Sequence, residues 1–347
     1  MLVDSPPEAR AKAAAEPSTR RAARVVGLFV ALGVLGIVAV ASIAIGAKAL
    51  PVDQVWHGLF HDTGTYADAV VGERLSRTVL GLLAGAALGL SGAVLQALTR
   101  NPLADPGLLG INAGASAAVV TAITFFGVTS LTGYVWFAFG GAAVVGALVW
   151  FLGGSRAATP VRLALAGTAI TAALSGYLQA VMIMDDAALA RMRFWTVGSL
   201  SSATWGTIAQ VLPFLLAGTV LALCLARPLN ALEMGDDTAR ALGAHLNRTR
   251  VLAMAAATLL CGAATAACGP IVFVGLMVPH AVRSFTGPDL RWILPYATVL
   301  SPVLLLGADV VGRLIVRPAE LQVGIVTAVV GGPVFIFLVR RRRTAQL

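Results

Sequence analysis

Among the 347 residues only 25 are Lys or Arg and 16 Asp or Glu, 12% charged in all, against 58% apolar residues and 37 glycines. A soluble fold needs about twice that share of charge, so soluble enzymes, disordered chains and folded nucleic-acid binders are excluded. The net charge of +9 sits between apolar runs and at the chain ends, which is the pattern of bilayer topology, not of a nucleic-acid footprint.

Residues 1–24 are polar and basic (Arg10, Lys12, Arg20, Arg21, Arg24) with Pro6, Pro7 and Pro17, and predict a disordered cytoplasmic tail. The apolar run 25–47 is about 35 Å long as a helix. That spans the hydrocarbon and exceeds the core of a cleavable leader, so it reads as a retained first span opening a single transmembrane domain, 25–347. Further runs lie near 76–98, 108–128, 134–153, 161–183, 206–226, 250–268, 271–285, 292–309 and 321–339. The expected fold is therefore all-α and polytopic, with about ten transmembrane helices. The run 271–285, broken by Pro279, is the weakest span, and the connector 184–205 has room for a short re-entrant or surface helix.

With the N-terminus inside, the tail, Arg100, Arg156, Arg162, Arg227, Arg240, Arg248, Arg250, Arg283, Arg291 and Arg340 to Arg343 all fall on the inner side. Both termini are then cytoplasmic. Cys224, Cys261 and Cys268 lie inside apolar runs and read as packing residues; the last two are about 10 Å apart along a helix, beyond disulfide reach. No metal-ligand spacing occurs among the 4 His and 3 Cys, and no metal site is expected.

Gly81, Gly85 and Gly89, with Gly92 adjoining, form a small-residue stripe that lets another helix approach closely, either as plain packing or in a transport role. Asn101 to Pro106 follow as an inner turn. Arg74 and Arg77, three apart at the outer mouth of the same run, and Arg313 near the end of the ninth defy the inside bias. They fit either a cation ring for an acidic protein partner or snorkelling to headgroups. The longest inner connector, 227–250, carries Asp236 or Asp237 as a cap, an apolar face at Ala239 and Leu242, and Gly243 as a stop. Such a helix enters a groove on a cytoplasmic partner or lies on lipid. The centres of the spans are almost free of acids and histidines, unlike ion-coupled carriers, and no phosphate-binding GxxxxGK[ST] loop occurs. If the chain pumps, another subunit supplies the energy.

Three blocks, 74–115, 269–289 and 308–341, resemble in order the permeases of bacterial iron-chelate and cobalamin ABC importers, the FecCD family. The resemblance implies a cobalamin-importer-permease-like subunit of the inner membrane, with no catalytic residues and no cofactor of its own. Its implied partners are a second permease, identical or sister, two ATPase subunits that use ATP and Mg, and an extracytoplasmic substrate-binding protein. It implies ferric siderophore as cargo, with haem and cobalamin as alternatives and an ATP-independent carrier or an intramembrane enzyme as remoter readings. Arg74, Arg77 and Arg313 would pair with glutamates of the binding protein, although Leu75-Ser76 replaces the common Leu-Pro between the first two. Arg191 and Arg193 would be additional outer cations, against the binding protein or lipid. Gly235, Asp236, Asp237, Ala239, Leu242 and Gly243 would form the coupling helix against the ATPase. Thr168, Thr171, Ser175 and Gln179, sharing one helix face, would line the translocation path unless their hydroxyls back-bond to the helix. Thr159-Pro160 would mark the cytoplasmic gate.

Overall fold

The computed structural model describes residues 7–46, 50–60, 64–153 and 160–344, and these are helical with no strand among them. In order the helices are α1 (Pro7–Ala44), α2 (Val52–Phe60), α3 (Tyr66–Thr99), α4 (Ile111–Phe126), α5 (Leu131–Leu152), α6 (Pro160–Met184) and α7 (Asp186–Trp195). They continue as α8 (Trp205–Cys224), α9 (Ala226–Glu233), α10 (Asp236–Ala241), α11 (Leu246–Cys268), α12 (Val274–Thr286), α13 (Leu290–Ile315) and α14 (Val323–Thr344), with a 3-10 turn at Pro106–Leu109 before α4. Each of the ten apolar runs coincides with a helix. Among the described residues, seven helices are long and apolar enough to cross a membrane: those within α1 and α5 and the whole or nearly the whole of α3, α6, α8, α11 and α13. α4, α12 and the apolar part of α14 are shorter.

Two elements differ from the sequence reading. α1 starts at Pro7, so the segment expected as a disordered tail continues the first helix from that residue; its Ala-rich composition favours helix over coil. α2 occupies the first connector, where no element was expected. The expected short helix after the fifth run is α7, started by Asp185, whose carboxylate accepts from the backbone N–H groups of Ala187 and Ala188.

α3 is the axis of the bundle. In its most apolar window 78% of residues are buried, against 11% in α1 and α6. It packs against α13, α11, α12 and α8, and the glycine stripe is what allows the approach. A Cβ at Gly85 would stand 2.6 Å from the Pro302 Cα; one at Gly81 would strike Leu306, at Gly89 Ser301, and at Gly92 the Gly275 carbonyl. Without a hydrophobic force between helices in lipid, such contact and polar ties hold the bundle. Ser91 Oγ donates to the Ala257 carbonyl at 3.0 Å, and Gln96 Nε2 to the carbonyls of Gly275 and Leu276 at 3.3 and 3.1 Å. Between α11 and α4, Thr265 donates to Asn112 Oδ1 at 2.9 Å. Cys261 and Cys268 are buried as expected, whereas Cys224 is exposed on α8; all three are free thiols.

Candidate functional site

At one end of the bundle α3 and α13 bring together the three arginines expected as a free cation ring. They are not free. Arg77 donates to both oxygens of Asp309, from Nε at 3.2 and 3.0 Å and from Nη2 at 2.7 Å, and its Nη1 reaches Glu320 Oε2 at 2.6 Å. Arg313, four residues after Asp309 on the same helix face, pairs with its Oδ2 at 2.9 Å. It also donates to the carbonyls of Ser42 and Ile45 and to Ser42 Oγ at 2.8–2.9 Å. Arg74 donates to the carbonyls of Ile43 and Ala44 at 3.1 Å. Those carbonyls are the unsatisfied C-terminal groups of α1, so the arginines cap that helix and satisfy its dipole.

Asp309 is 0% and Arg313 1% exposed by side chain, while Glu320, in the α13–α14 loop, is 35% exposed. The guanidinium groups turn into protein and not toward headgroups, which argues against the snorkelling alternative. Of the cluster, Glu320 is the carboxylate that water can reach. Arg191 and Arg193 do lie exposed, on α7, with Arg193 stacked over Phe194 at 4.5 Å.

At the opposite end, α9 and α10 form a platform in the connector between α8 and α11. Neither Asp236 nor Asp237 caps α10: the N-cap is Gly235, with no side-chain bond. Asp236 instead clamps the platform, pairing with Arg100 at the end of α3 and with Arg250 of α11, the latter at 2.7 Å. Partial burial opposes its charge, but the two arginines hold its carboxyl below the usual carboxylate range. Gly243 follows the helix at φ +79 and donates to the Arg240 carbonyl at 2.9 Å, the stop expected of it. Ala239 is fully buried beneath α10 and is no contact residue, whereas Leu242 is 63% exposed and Asp237 points into solvent. Met234, at the end of α9 and 65% exposed, was missed. A second clamp ties Glu233 to Arg283 of α12 at 2.8 Å.

The four α6 residues expected along one face divide. Thr168, Ser175 and Gln179 are exposed, while Thr171 turns toward the 3-10 turn, close to Gly110, and finds no hydrogen-bond partner among the described residues. Thr168 back-bonds to the Ala164 carbonyl at 2.8 Å. A hollow of about 360 Å³ between Thr168, Ala164, Val161 and the turn residues Asn101, Ala104 and Leu109 opens beside them. Thr159 lies outside the described residues, and Pro160 is the first residue of α6.

An all-helical bundle of ten matched segments, with a charge-locked end and an apolar platform at the other, defines a multi-pass membrane permease. The chain belongs to the FecCD transport family, whose model matches residues 34–341. The ferric enterobactin transport system permease protein FepD of Escherichia coli (strain K12) is 48% identical over 306 residues, covering 87% of this chain and 91% of its own length. The hemin transport system permease protein HmuU of Yersinia pestis is 37% identical over 89% of this chain and 93% of its own. The cobalamin import system permease protein BtuC of Halobacterium salinarum is 36% identical over 81% and 76%. Among solved structures, a metal-chelate type ABC transporter in an inward-facing conformation matches with TM-score 0.79 and 30% identity, covering 90% of this chain and 98% of that one. The chain is thus a transport subunit and not an enzyme; the ATPase is a separate subunit, and a substrate-binding protein completes the system.

The carboxylates of the charged cluster escaped the sequence reading. Asp309 and Arg313 stand at helical i, i+4 spacing, a signal that was available. The tie from Asp309 to Arg77 spans 232 positions and has no local signature.

Proposed function

We propose that this permease passes a ferric siderophore, delivered by its binding protein at the Arg77 end, into the cytoplasm at the α9–α10 end. The observation that carries the cargo is the 48% identity, over nearly the whole chain, to a permease named for ferric enterobactin; the relatives named for hemin and cobalamin stand at 37% and 36%. Both termini face the cytoplasm, a reading supported by an even number of matched helices and by the arginine distribution. Two permease chains pair through the exposed face of α6, and two ATPases take Met234 and Leu242 in their clefts. The chain binds no cofactor itself, and ATP and Mg serve the ATPases.

The outer docking surface is the mouth of α3 and α13, as proposed from the sequence, but Arg77 is available to an incoming glutamate only in exchange for Glu320. Uptake of radiolabelled ferric siderophore, haem and cobalamin into vesicles holding the permease, ATPase and binding protein tests the assignment. ATP-dependent iron uptake that needs the binding protein is expected. Uptake of haem or cobalamin alone would reassign the cargo, and uptake on an ion gradient without ATPase would overturn the importer.

A further inference from the structure

The platform end carries a second feature, which borders the coupling helix at Leu242 and Gly243 but extends away from it along α8, α9 and α11. Beside α10, the end of α8, α9 and the start of α11 enclose a hollow of about 480 Å³. Its floor is apolar (Leu221, Leu225, Pro228, Ala231, Leu252), and its rim carries the two guanidinium groups of Arg227 and Arg248 with the imidazole of His245 beside them. It adjoins another hollow, of about 580 Å³, through the shared residues Ala244, His245 and Arg248.

The charges around these hollows fall into two kinds. Arg240 is paired with Asp237 at 2.9 Å and Arg250 with Asp236 at 2.7 Å. Arg227 and Arg248, both exposed, have no carboxylate partner among the described residues. Two uncompensated guanidinium groups therefore face one cavity.

The depth of the cavity decides what fits it. Its wall residues Leu221 and Cys224 are the last turn of a membrane span, and Leu252 lies in the first turns of another. The cavity straddles the boundary between hydrocarbon and water, and Val220, Leu223 and Val251 continue an exposed apolar surface from it into the bilayer depth. A protein carboxylate would satisfy the rim but leave the floor unfilled; a free phosphate would do the same. An anionic phospholipid satisfies both, with its phosphodiester between Arg227 and Arg248 and an acyl chain along α8 and α11.

We propose that this hollow is a binding site for an anionic phospholipid of the leaflet next to the platform. The site rests on the chain spanning a membrane, not on the cargo or the docking partner. A lipid held there would pack against Leu242, Gly243 and His245, the residues that follow α10, and so tune how firmly the platform is presented.

The test is retention of phosphatidylglycerol against phosphatidylcholine by the full-length permease, read by native mass spectrometry after exchange from mixed micelles. The wild-type chain should retain phosphatidylglycerol selectively, and each of Arg227→Gln and Arg248→Gln should weaken retention about fivefold. Arg240→Gln, which removes an arginine already paired, should leave it unchanged. Ala231→Phe, which fills the floor and keeps both charges, should also lose the lipid and guards against misfolding of the charge variants. Equal retention of the two lipids, wild-type retention in the double Gln variant or in Ala231→Phe, or displacement by millimolar glycerol phosphate would each overturn the site. Loss of ATPase binding with lipid retention intact would give the arginines to the ATPase instead.

Discussion

Asp309 is the residue on which the charged end depends. One carboxylate with no exposure pairs with two guanidinium groups, Arg77 and Arg313; removing it leaves Arg77 only Glu320 and leaves Arg313, 1% exposed, with no carboxylate partner among the described residues. Asp309→Asn should cost about 3–5 kcal/mol, read as a fall in the thermal midpoint of the purified permease; a change within error would mean that water already enters the cluster. Glu320 is different in kind. It is the exposed partner of Arg77, so Glu320→Gln should leave the midpoint nearly unchanged and tighten docking of the binding protein, and weaker docking would show that Glu320 shapes the surface instead of masking it. The arginines themselves were legible in the sequence because they break the charge bias of membrane loops. Their burial was not, because neither Asp309 nor Glu320 is a neighbour of Arg77 in sequence.

At the scale of the element, α10 is the clearest case of a helix whose existence could be read while its facing could not. Gly235 and Gly243 mark its ends at φ +109 and +79, and the seven residues between are too few to show a period. Ala239 and Leu242 looked like one apolar face, yet Ala239 is packed inside and Leu242 outside. Leu242→Asp should therefore uncouple ATP hydrolysis from uptake with an unchanged thermal midpoint, whereas Ala239→Asp should unfold the platform. Normal coupling in Leu242→Asp would remove this helix from the ATPase contact.

Two carboxylates at the platform end titrate in opposite senses. Asp105, partly buried in the turn before α4, has its carboxyl pushed up to about 6 by desolvation, offset only in part by the Gly107 N–H. Its contribution to stability is complete below the unfolded value of about 3.9 and is lost as pH rises through about 6. Asp289, which caps α13, is partly desolvated, but bonds from Arg291 and Asn230 hold it at about 2; its contribution is present above about 3.9 and lost as pH falls through about 2. Asp105→Asn, which keeps the cap acceptor, should raise stability at pH 7 by up to about 3 kcal/mol and change little at pH 4. Thermal unfolding at the two pH values checks this, and an equal effect at both would remove the titration.

For the whole molecule, hydropathy was enough to find all ten segments, since a bilayer demands long apolar helices whatever their neighbours. The centrality of α3 was legible too, from four glycines spaced for close approach. Less legible was α6, where Thr168, Ser175 and Gln179 lie exposed while Thr171 turns inward. If the exposed positions line a watery path between paired chains, then Gln179→Cys and Ser175→Cys, made with Cys224→Ser, should react with a membrane-impermeant maleimide and be protected by loaded binding protein. Val181→Cys, at a buried position, should not react. Silence at both exposed positions would put them against lipid.

α3 ends at Arg100, whose side chain meets Asp236 of the platform and donates to the Leu232 carbonyl at 2.8 Å. The same unbroken helix holds Arg77 in the charged cluster, about 35 Å away at 1.5 Å per residue. The permease thus owns a rigid strut with a charged grip at each end, and a tug on either grip reaches the other without crossing a loop or a hinge.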